Sequence, residues 1–262
     1  MKINKRDAIL QSIIDAYLAD NSPIGSTELM VRMDEPIPAS TIRVYFKKLS
    51  DEGAIKQLHI SSGRIPTIST MISYWLKKLN CDEKLVLSDH DELERIVSNF
   101  EIYCMIYNSD DEILKEVINY NGRYILLIFD ETEFMVKFND RVYKLLLNLV
   151  GSSLGELEEI SMQVGLGELR RKIENFKLSK VGFLANEVVA FKIFEDERFK
   201  LLLDPSFSNR LPKNIVFEPF FKEGFMGIRQ DVVFDGRDAT MFCAGSVYEN
   251  YESFFSQIAR LK

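Results

Sequence analysis

Apolar residues recur at helical spacing in two stretches near the start of the chain. Ile9, Ile13 and Tyr17 lie four residues apart, so they share one face of a helix predicted over residues 5–19. The same spacing returns over residues 67–79 and predicts a linking helix there.

Two further helices are predicted between these stretches. The first is short and spans residues 27–33, with Ser26 as its predicted N-cap, because a serine hydroxyl can accept a hydrogen bond from the first turn. The second begins at Pro38, whose missing N–H is not needed in a first turn, and ends at Gly53. Its inward-facing apolar residues are Ile42, Phe46 and Leu49.

A strand and a turn follow the third helix. Alternation over residues 54–58 predicts the strand, and the Ser-Ser-Gly-Arg sequence at residues 61–64 predicts the turn. Three helices and a hairpin with a basic tip form the layout of a winged helix-turn-helix, which places one helix in the DNA major groove and a loop beside it. A three-helix domain with a solvated basic face, used for protein contacts, is the alternative that the pattern leaves open.

The outer face of the third helix carries side chains that suit DNA. Recognition helices touch bases near their N-terminus, here at Ser40, Thr41 and Arg43, and arginine can donate two hydrogen bonds to guanine. Lysines neutralise phosphates, and the candidates are Lys47, Lys48 and Lys56. At the turn, Gly63 lets the backbone approach the sugar-phosphate chain, and Arg64 can enter the minor groove.

Charge divides the chain near residue 80. Residues 1–79, called the head below, carry 11 Lys and Arg against 8 Asp and Glu, a net charge of +3. Residues 80–262, called the body, carry 22 against 32, a net charge of −10. An acidic body repels DNA and leaves the head to bind it.

Strand and helix signals alternate along the body. Strands are predicted over residues 84–87, 100–107, 124–129, 134–138, 226–234 and 239–246. Helices are predicted over residues 91–99, 110–120, 142–150 and 251–261. The pattern changes between residues 151 and 212, where apolar residues have helical spacing over residues 157–160, 169–176 and 188–202. Antiparallel strands with flanking helices indicate an α+β fold.

The remaining residue types argue against several kinds of site. The two histidines and three distant cysteines lack the spacing of a zinc site, and no nucleophile motif or complete phosphate-binding loop is present. We therefore expect no metal, no cofactor and no enzyme activity. The odd number of cysteines indicates a reducing cytoplasm, and no apolar run reaches the roughly 18 residues of a membrane span.

Three motifs in the head resemble the N-terminal signature of the heat-inducible transcription repressor family HrcA. They are Pro23-Ile24-Gly25-Ser26, Ser40-Thr41-Ile42-Arg43 and His59-Ile60-Ser61-Ser62-Gly63-Arg64-Ile65-Pro66-Thr67. The family usually has Ser-Pro before the alanine of the second motif, where this chain has Pro38-Ala39. It usually has Asn-Asp after the arginine, where this chain has Val44-Tyr45, so Val44 is available to meet a thymine methyl group.

The resemblance implies a homodimeric repressor of heat-shock (chaperone) operons. Such a repressor binds double-stranded DNA at an inverted-repeat operator called CIRCE, is modulated by the GroEL chaperonin and loses activity on heating. The implied DNA-binding residues are Ser26, Thr27, Ser40, Thr41, Arg43, Val44, Lys47, Lys48, Lys56, His59, Ser61, Ser62, Gly63 and Arg64.

The resemblance also implies a division into three parts. These are a winged helix-turn-helix domain with its linking helix over residues 1–79, a GAF-like domain over residues 80–150 and 213–262, and a shortened dimerisation segment inserted over residues 151–212. The family's C-terminal Gly-Pro-Thr-Arg-Met-Asp-Tyr motif is present only as the altered sequence of residues 245–251.

Two alternative functions stay open at this point. GAF-like domains often bind small molecules, so the protein could be a ligand-responsive regulator with Phe220, Phe221 and Phe225 lining the pocket. An aromatic cluster of this kind is more often core or a dimer seam. The other alternative is a protein-interaction module whose winged helix never meets DNA.

Overall fold

The computed structural model describes residues 4–35, 37–58, 63–81, 83–108 and 112–261. Helices and strands are mixed throughout this part of the chain. In the head they are α1 Lys5–Asp20, α2 Ser26–Arg32, α3 Ala39–Asp51, β1 Ile55–Gln57, β2 Arg64–Pro66 and α4 Ile68–Lys78. The four helices predicted here are confirmed, with ends that differ by one or two residues.

The three N-terminal helices enclose a small apolar core. Ile42 and Leu49 of α3 are fully buried and Phe46 is nearly so, as their spacing predicted. The predicted stop at Gly53 is also confirmed: Gly53 adopts a left-handed φ of 72°, and the Ala54 N–H donates back to the Leu49 carbonyl. This cap turns the chain directly into β1.

The expected capping role of Ser26 is wrong. Gly25 occupies the N-cap of α2 and no side chain caps the helix, while Ser26 is the first helical residue and is buried. The Ser26 hydroxyl instead accepts a hydrogen bond from the Arg43 side chain of α3.

The body contains the remaining elements. They are β3 Leu85–Leu87, α5 His90–Ser98, β4 Ile102–Tyr107, β5 Glu116–Tyr120, β6 Tyr124–Ile128, β7 Glu133–Lys137, α6 Asp140–Leu147, α7 Leu154–Gln163, α8 Gly167–Ser179, β8 Val181–Ala185, α9 Glu187–Phe194, α10 Phe199–Leu202, α11 Pro205–Arg210, β9 Asn214–Val216, β10 Phe225–Phe234, β11 Arg237–Ser246 and α12 Tyr251–Ile258.

A six-stranded sheet forms the centre of the body. Its strand order is β3-β10-β11-β4-β8, with β9 pairing on β10, and all these pairs are antiparallel except β3 with β10. Helices α5 and α12 cover one face and α9 to α11 cover the other, so every residue of β4 is buried. Cys104 and Cys243 lie opposite each other on β4 and β11, as free thiols with 3.6 Å between the sulfur atoms.

A second sheet forms a smaller unit inside the body. Strands β5, β6 and β7 make an antiparallel meander that packs with α6, α7 and α8 around its own buried cluster. The chain enters this unit from β4 and returns from it to the neighbouring strand β8. There the Asn108 N–H donates to the Lys180 carbonyl at 3.0 Å.

One element predicted in the body is wrong and one was missed. The helix predicted over residues 110–120 is wrong, since residues 116–120 form β5 (residues 110 and 111 lie outside the described residues). Strand β8 was not predicted. It lies within residues 151–212 and pairs with β4 of the large sheet.

One asparagine joins the end of β8 to the start of β4 and to the turn before it. The Asn186 side-chain amide donates to the backbone carbonyls of Val97, Phe100 and Ile102 at 2.8, 2.9 and 2.9 Å. Asn186 also has a left-handed backbone, with φ of 60°. An asparagine tolerates that conformation better than most residues, so one side chain serves both purposes.

The head rests on the body through α1, α4 and the residues that follow β11. Trp75 of α4 is the only tryptophan of the chain and is fully buried. Its indole N–H donates to the Val247 carbonyl at 2.7 Å, and its ring packs edge-on against Tyr251. The apolar core of the large sheet therefore continues into the head.

We predict that Asn186→Asp lowers the free energy of unfolding by about 3 kcal/mol, because a carboxylate, which cannot donate, would replace the amide that donates to three carbonyl oxygens. Urea unfolding followed by circular dichroism measures the change. The matched control is Asn121→Asp, an exposed asparagine with the same left-handed backbone, for which we expect a change within about 0.5 kcal/mol. Equal effects at the two positions would contradict the role assigned to the Asn186 amide.

Candidate nucleic-acid interface

Helix α3 turns one polar face away from the core. Ser40, Arg43, Lys47 and Lys48 are exposed, and Val44 between them is 69% exposed. Thr41 is half-buried at the margin of this face. The apolar residues of the same helix point inward, so the face is held in place by the core beneath it. Val44 therefore presents an exposed apolar side chain in the middle of a basic face.

The cations of this face are free of carboxylates. Among the described residues, Arg43, Lys47, Lys48 and Lys56 form no ion pair. Elsewhere in the head, Arg6 pairs with two carboxylates, at 2.6 Å from Glu52 and 2.7 Å from Asp7. Arg32 likewise pairs with Asp20 at 2.5 Å and with Glu28 at 2.6 Å. The positive charge on α3 and β1 is therefore available to an external anion.

A hydrogen bond between α2 and α3 positions the central arginine. The Arg43 Nε–H donates to the Ser26 hydroxyl at 3.1 Å. Ser26 is buried beneath the arginine, whereas its neighbour Thr27 is exposed. The bond fixes the direction of the Arg43 side chain and leaves its two terminal nitrogens unpaired among the described residues. The sequence predicts Ser26 as an N-cap and as a DNA-binding residue and gives no sign of this supporting role, which only the packing of α2 on α3 reveals.

Arg64 does not extend from the hairpin. Its side chain is half-buried, and its guanidinium carbon lies 6.0 Å from the centre of the Phe46 ring. Its backbone N–H and carbonyl both bond to Ile24, which adds the segment before α2 to the hairpin as a third extended strand. In this structure Arg64 therefore supports the third helix instead of projecting toward a groove. The other predicted turn residues, His59, Ser61 and Ser62, lie outside the described residues.

Gly63 is required by a close approach of two backbones. A Cβ atom at this position would lie 2.4 Å from both the carbonyl carbon and the oxygen of Ile24. The sequence prediction attributed Gly63 to an approach to DNA, but the nearer neighbour is the head's own chain. Only glycine lets the hairpin lie flat against Ile24.

The body offers clefts but no aromatic pocket of the predicted kind. One cleft of about 660 Å³ lies between α7, α8, α11 and the large sheet. Phe221 is buried and stacks on Phe242 in the core, while Phe220 is 41% exposed. Neither residue lines that cleft, and Phe225 packs against the same core. The described residues contain no cluster of metal-ligating side chains.

A family comparison decides what the chain is related to. The family model described as the HrcA C-terminal domain matches residues 75–262. The chain belongs to the HrcA family. The match covers the whole body, where the sequence motifs were weakest, and the resemblance noted in the head is independent of it.

Curated relatives of the chain carry one name. A "Heat-inducible transcription repressor HrcA" of Helicobacter pylori is 28% identical over 258 residues, which is 98% of this chain and 95% of the relative. The protein of the same name from Mycoplasma mobile is 42% identical over 65 residues, or 25% of this chain and 20% of the relative. A solved structure of a hypothetical protein is 19% identical and covers 99% of this chain and 97% of its own, with a TM-score of 0.49. The names of the curated relatives indicate transcriptional repression.

Among the helices of the described residues, none is both long and apolar enough to cross a membrane.

We predict that Gly63→Ala destabilises the head by about 1–3 kcal/mol, because the new methyl group would overlap the Ile24 backbone. The shift in the midpoint of urea unfolding measures the cost. Gly155→Ala in α7 is the matched control, since the nearest neighbour of its Cβ would be the Ser153 hydroxyl at an ordinary 3.8 Å. If Gly63→Ala unfolds at the wild-type urea concentration, the close approach is not a constraint in solution.

Proposed function

We propose that this HrcA-family chain is a repressor of heat-shock operons that binds an inverted-repeat CIRCE-type operator through a winged helix-turn-helix head. The observation that carries the proposal is the exposed face of α3, where Arg43, Lys47 and Lys48 lack carboxylate partners within the described residues. The hairpin β1–β2 beside α3 supplies the wing.

Recognition would begin with α3 in the major groove. Arg43 is held at Nε by Ser26, and its terminal nitrogens, which have no partner within the described residues, would donate to the O6 and N7 atoms of a guanine. Val44 lies one residue on and exposes the methyl groups that a thymine methyl group would contact. Ser40 and Thr41, in the first turn, reach neighbouring bases.

Phosphate contacts would hold this helix in register. Lys47 and Lys48 lie one turn beyond Arg43, and Lys56 lies on β1, so the three can meet the backbone on either side of the groove. Thr27, at the exposed start of α2, would contact a further phosphate. These contacts carry little sequence information but supply most of the salt-dependent affinity.

The body would assemble the operator-binding form. A homodimer is proposed because an inverted repeat matches a two-fold axis of the protein. Its GAF-like large sheet and the unit between β4 and β8 would provide the subunit contacts. Loss of this assembly on heating would release the operator, and the GroEL chaperonin would favour the assembled form.

We predict that Arg43→Ala lowers the preference for the operator over random DNA by about 1–3 kcal/mol, because a bidentate base contact is lost. Fluorescence anisotropy with the inverted repeat and with a scrambled duplex measures both affinities. The control is Arg95→Ala on α5, an exposed arginine of the body that pairs with Glu92, for which both affinities should be unchanged. An equal loss on both duplexes would show that Arg43 touches only phosphate.

For Lys48→Ala we expect weaker binding to all DNA sequences alike. The slope of log affinity against log salt concentration should fall in magnitude by about one, because one phosphate contact is removed. Titrations at four salt concentrations with wild type and variant measure it. A wild-type protein whose binding hardly depends on salt would instead support the protein-interaction module.

A further inference from the structure

A short segment after β11 connects the body to the head. In Val247–Tyr251, which we call the junction segment, the Val247 carbonyl accepts from Trp75 at 2.7 Å. The Tyr248 hydroxyl donates to the Pro66 carbonyl at 3.0 Å, and the Asn250 amide approaches the Leu18 carbonyl at 3.4 Å. Three residues of this short segment, Val247, Tyr248 and Asn250, thus reach α4, β2 and α1.

Aromatic rings strengthen the same contact. Tyr248 packs edge-on against Tyr17 of α1, with 5.2 Å between ring centres, and Trp75 packs against Tyr251 at 5.4 Å. Burial raises the pKa of Tyr248 to about 12, so its hydroxyl keeps the proton that it donates. An ion pair between Lys78 and Glu252, at 3.1 Å, lies at the edge of the contact between head and body.

The position of these contacts links them to the DNA-facing elements. Pro66 is the last residue of β2, two residues after Arg64, whose guanidinium supports Phe46 of α3. Tyr248 therefore contacts the strand whose Arg64 packs on Phe46 of the third helix. A change in the angle of the head on the body would carry α3 with the rest of the head.

From these contacts we infer that Tyr248 is a positioning residue, which fixes the angle of the head on the body and so sets the spacing of the two recognition helices in the operator-bound dimer. The inference rests on the proposed function. Two heads that read an inverted repeat must hold their helices at a distance set by the half-sites, which is one DNA turn of roughly 34–36 Å or a multiple of it. When the protein fixes that distance before it binds, binding of the second head costs little entropy. When the distance varies, much of the affinity gained from the second head is lost.

The polar groups of the junction segment are less completely hydrogen-bonded than those of the large sheet. The Tyr251 hydroxyl is buried and has no hydrogen-bond partner among the described residues. The hydrogen bond from Asn250 is long, whereas β10 and β11 pair along ten residues each. The junction would therefore open before the sheet separates.

The test compares full-length Tyr248→Ala and Tyr248→Phe with wild type on four duplexes. These are the CIRCE-type inverted repeat, the same repeat with one base pair added between its half-sites, a single half-site, and a scrambled sequence. For Tyr248→Ala we expect about tenfold weaker binding to the natural spacing, unchanged binding to the single half-site, and loss of most discrimination against the added base pair. Tyr248→Phe, which keeps the ring but loses the hydroxyl, should fall between the two.

Emission from Trp75 reports the junction directly, because the chain has no other tryptophan. On heating, the Trp75 signal of Tyr248→Ala should change at a lower temperature than in wild type, while circular dichroism of the whole chain shifts less. The control for general destabilisation is Asn186→Gly, which removes three body hydrogen bonds but suits the left-handed backbone. It should retain wild-type discrimination between the two spacings.

The possible results separate the two claims. Unchanged spacing discrimination in Tyr248→Ala overturns the positioning role while leaving the proposed function intact. Loss of that discrimination in Asn186→Gly to the same degree also overturns it, because stability alone would then explain the effect. A wild-type protein with no preference for the inverted repeat overturns the proposed function and the positioning role with it.

Discussion

The distribution of charge is the constraint on which the proposed interaction with DNA depends. A body with a net charge of −10 is repelled by a polyanion, so only a surface with free cations can approach it. The head satisfies this condition in a particular way. Arg6 and Arg32, which lie away from α3, are held in ion pairs, whereas within the described residues Arg43, Lys47 and Lys48 of α3 are not. Three cations without a carboxylate partner are thereby gathered on one face of α3.

The head was largely predictable because its elements follow from local patterns. Four-residue spacing, Pro38 and Gly53 place α1, α3 and the turn into β1, and the buried residues of α3 are those that the spacing selected. The roles of Ser26, Gly63 and Arg64 were not predictable. Each depends on the packing of segments distant in sequence: α2 against α3, the hairpin against Ile24, and Arg64 against Phe46.

The body was harder to predict because short strands carry weak local signals. Residues 112–116 begin with helix-favouring residues, and β5 gains its conformation only from its pairing with β6. Strand β8 is five residues long and contains Gly182, between two strongly helical stretches. Its place beside β4 is set by a pairing across more than 70 residues, which a pattern read in short windows does not contain.

The pairing of β4 with β8 has a consequence for how chains of this kind can vary in length. The segment from β5 to α8 is inserted between the end of β4 and the start of β8. These two strand ends lie side by side and are joined by the hydrogen bond between Asn108 and Lys180. A chain lacking this whole unit could still connect the two strands with a tight hairpin turn, because their ends already lie side by side. Expansion or deletion of the segment between β4 and β8 would alter the periphery of the molecule. It would leave the central sheet, and the head that packs on it, unchanged.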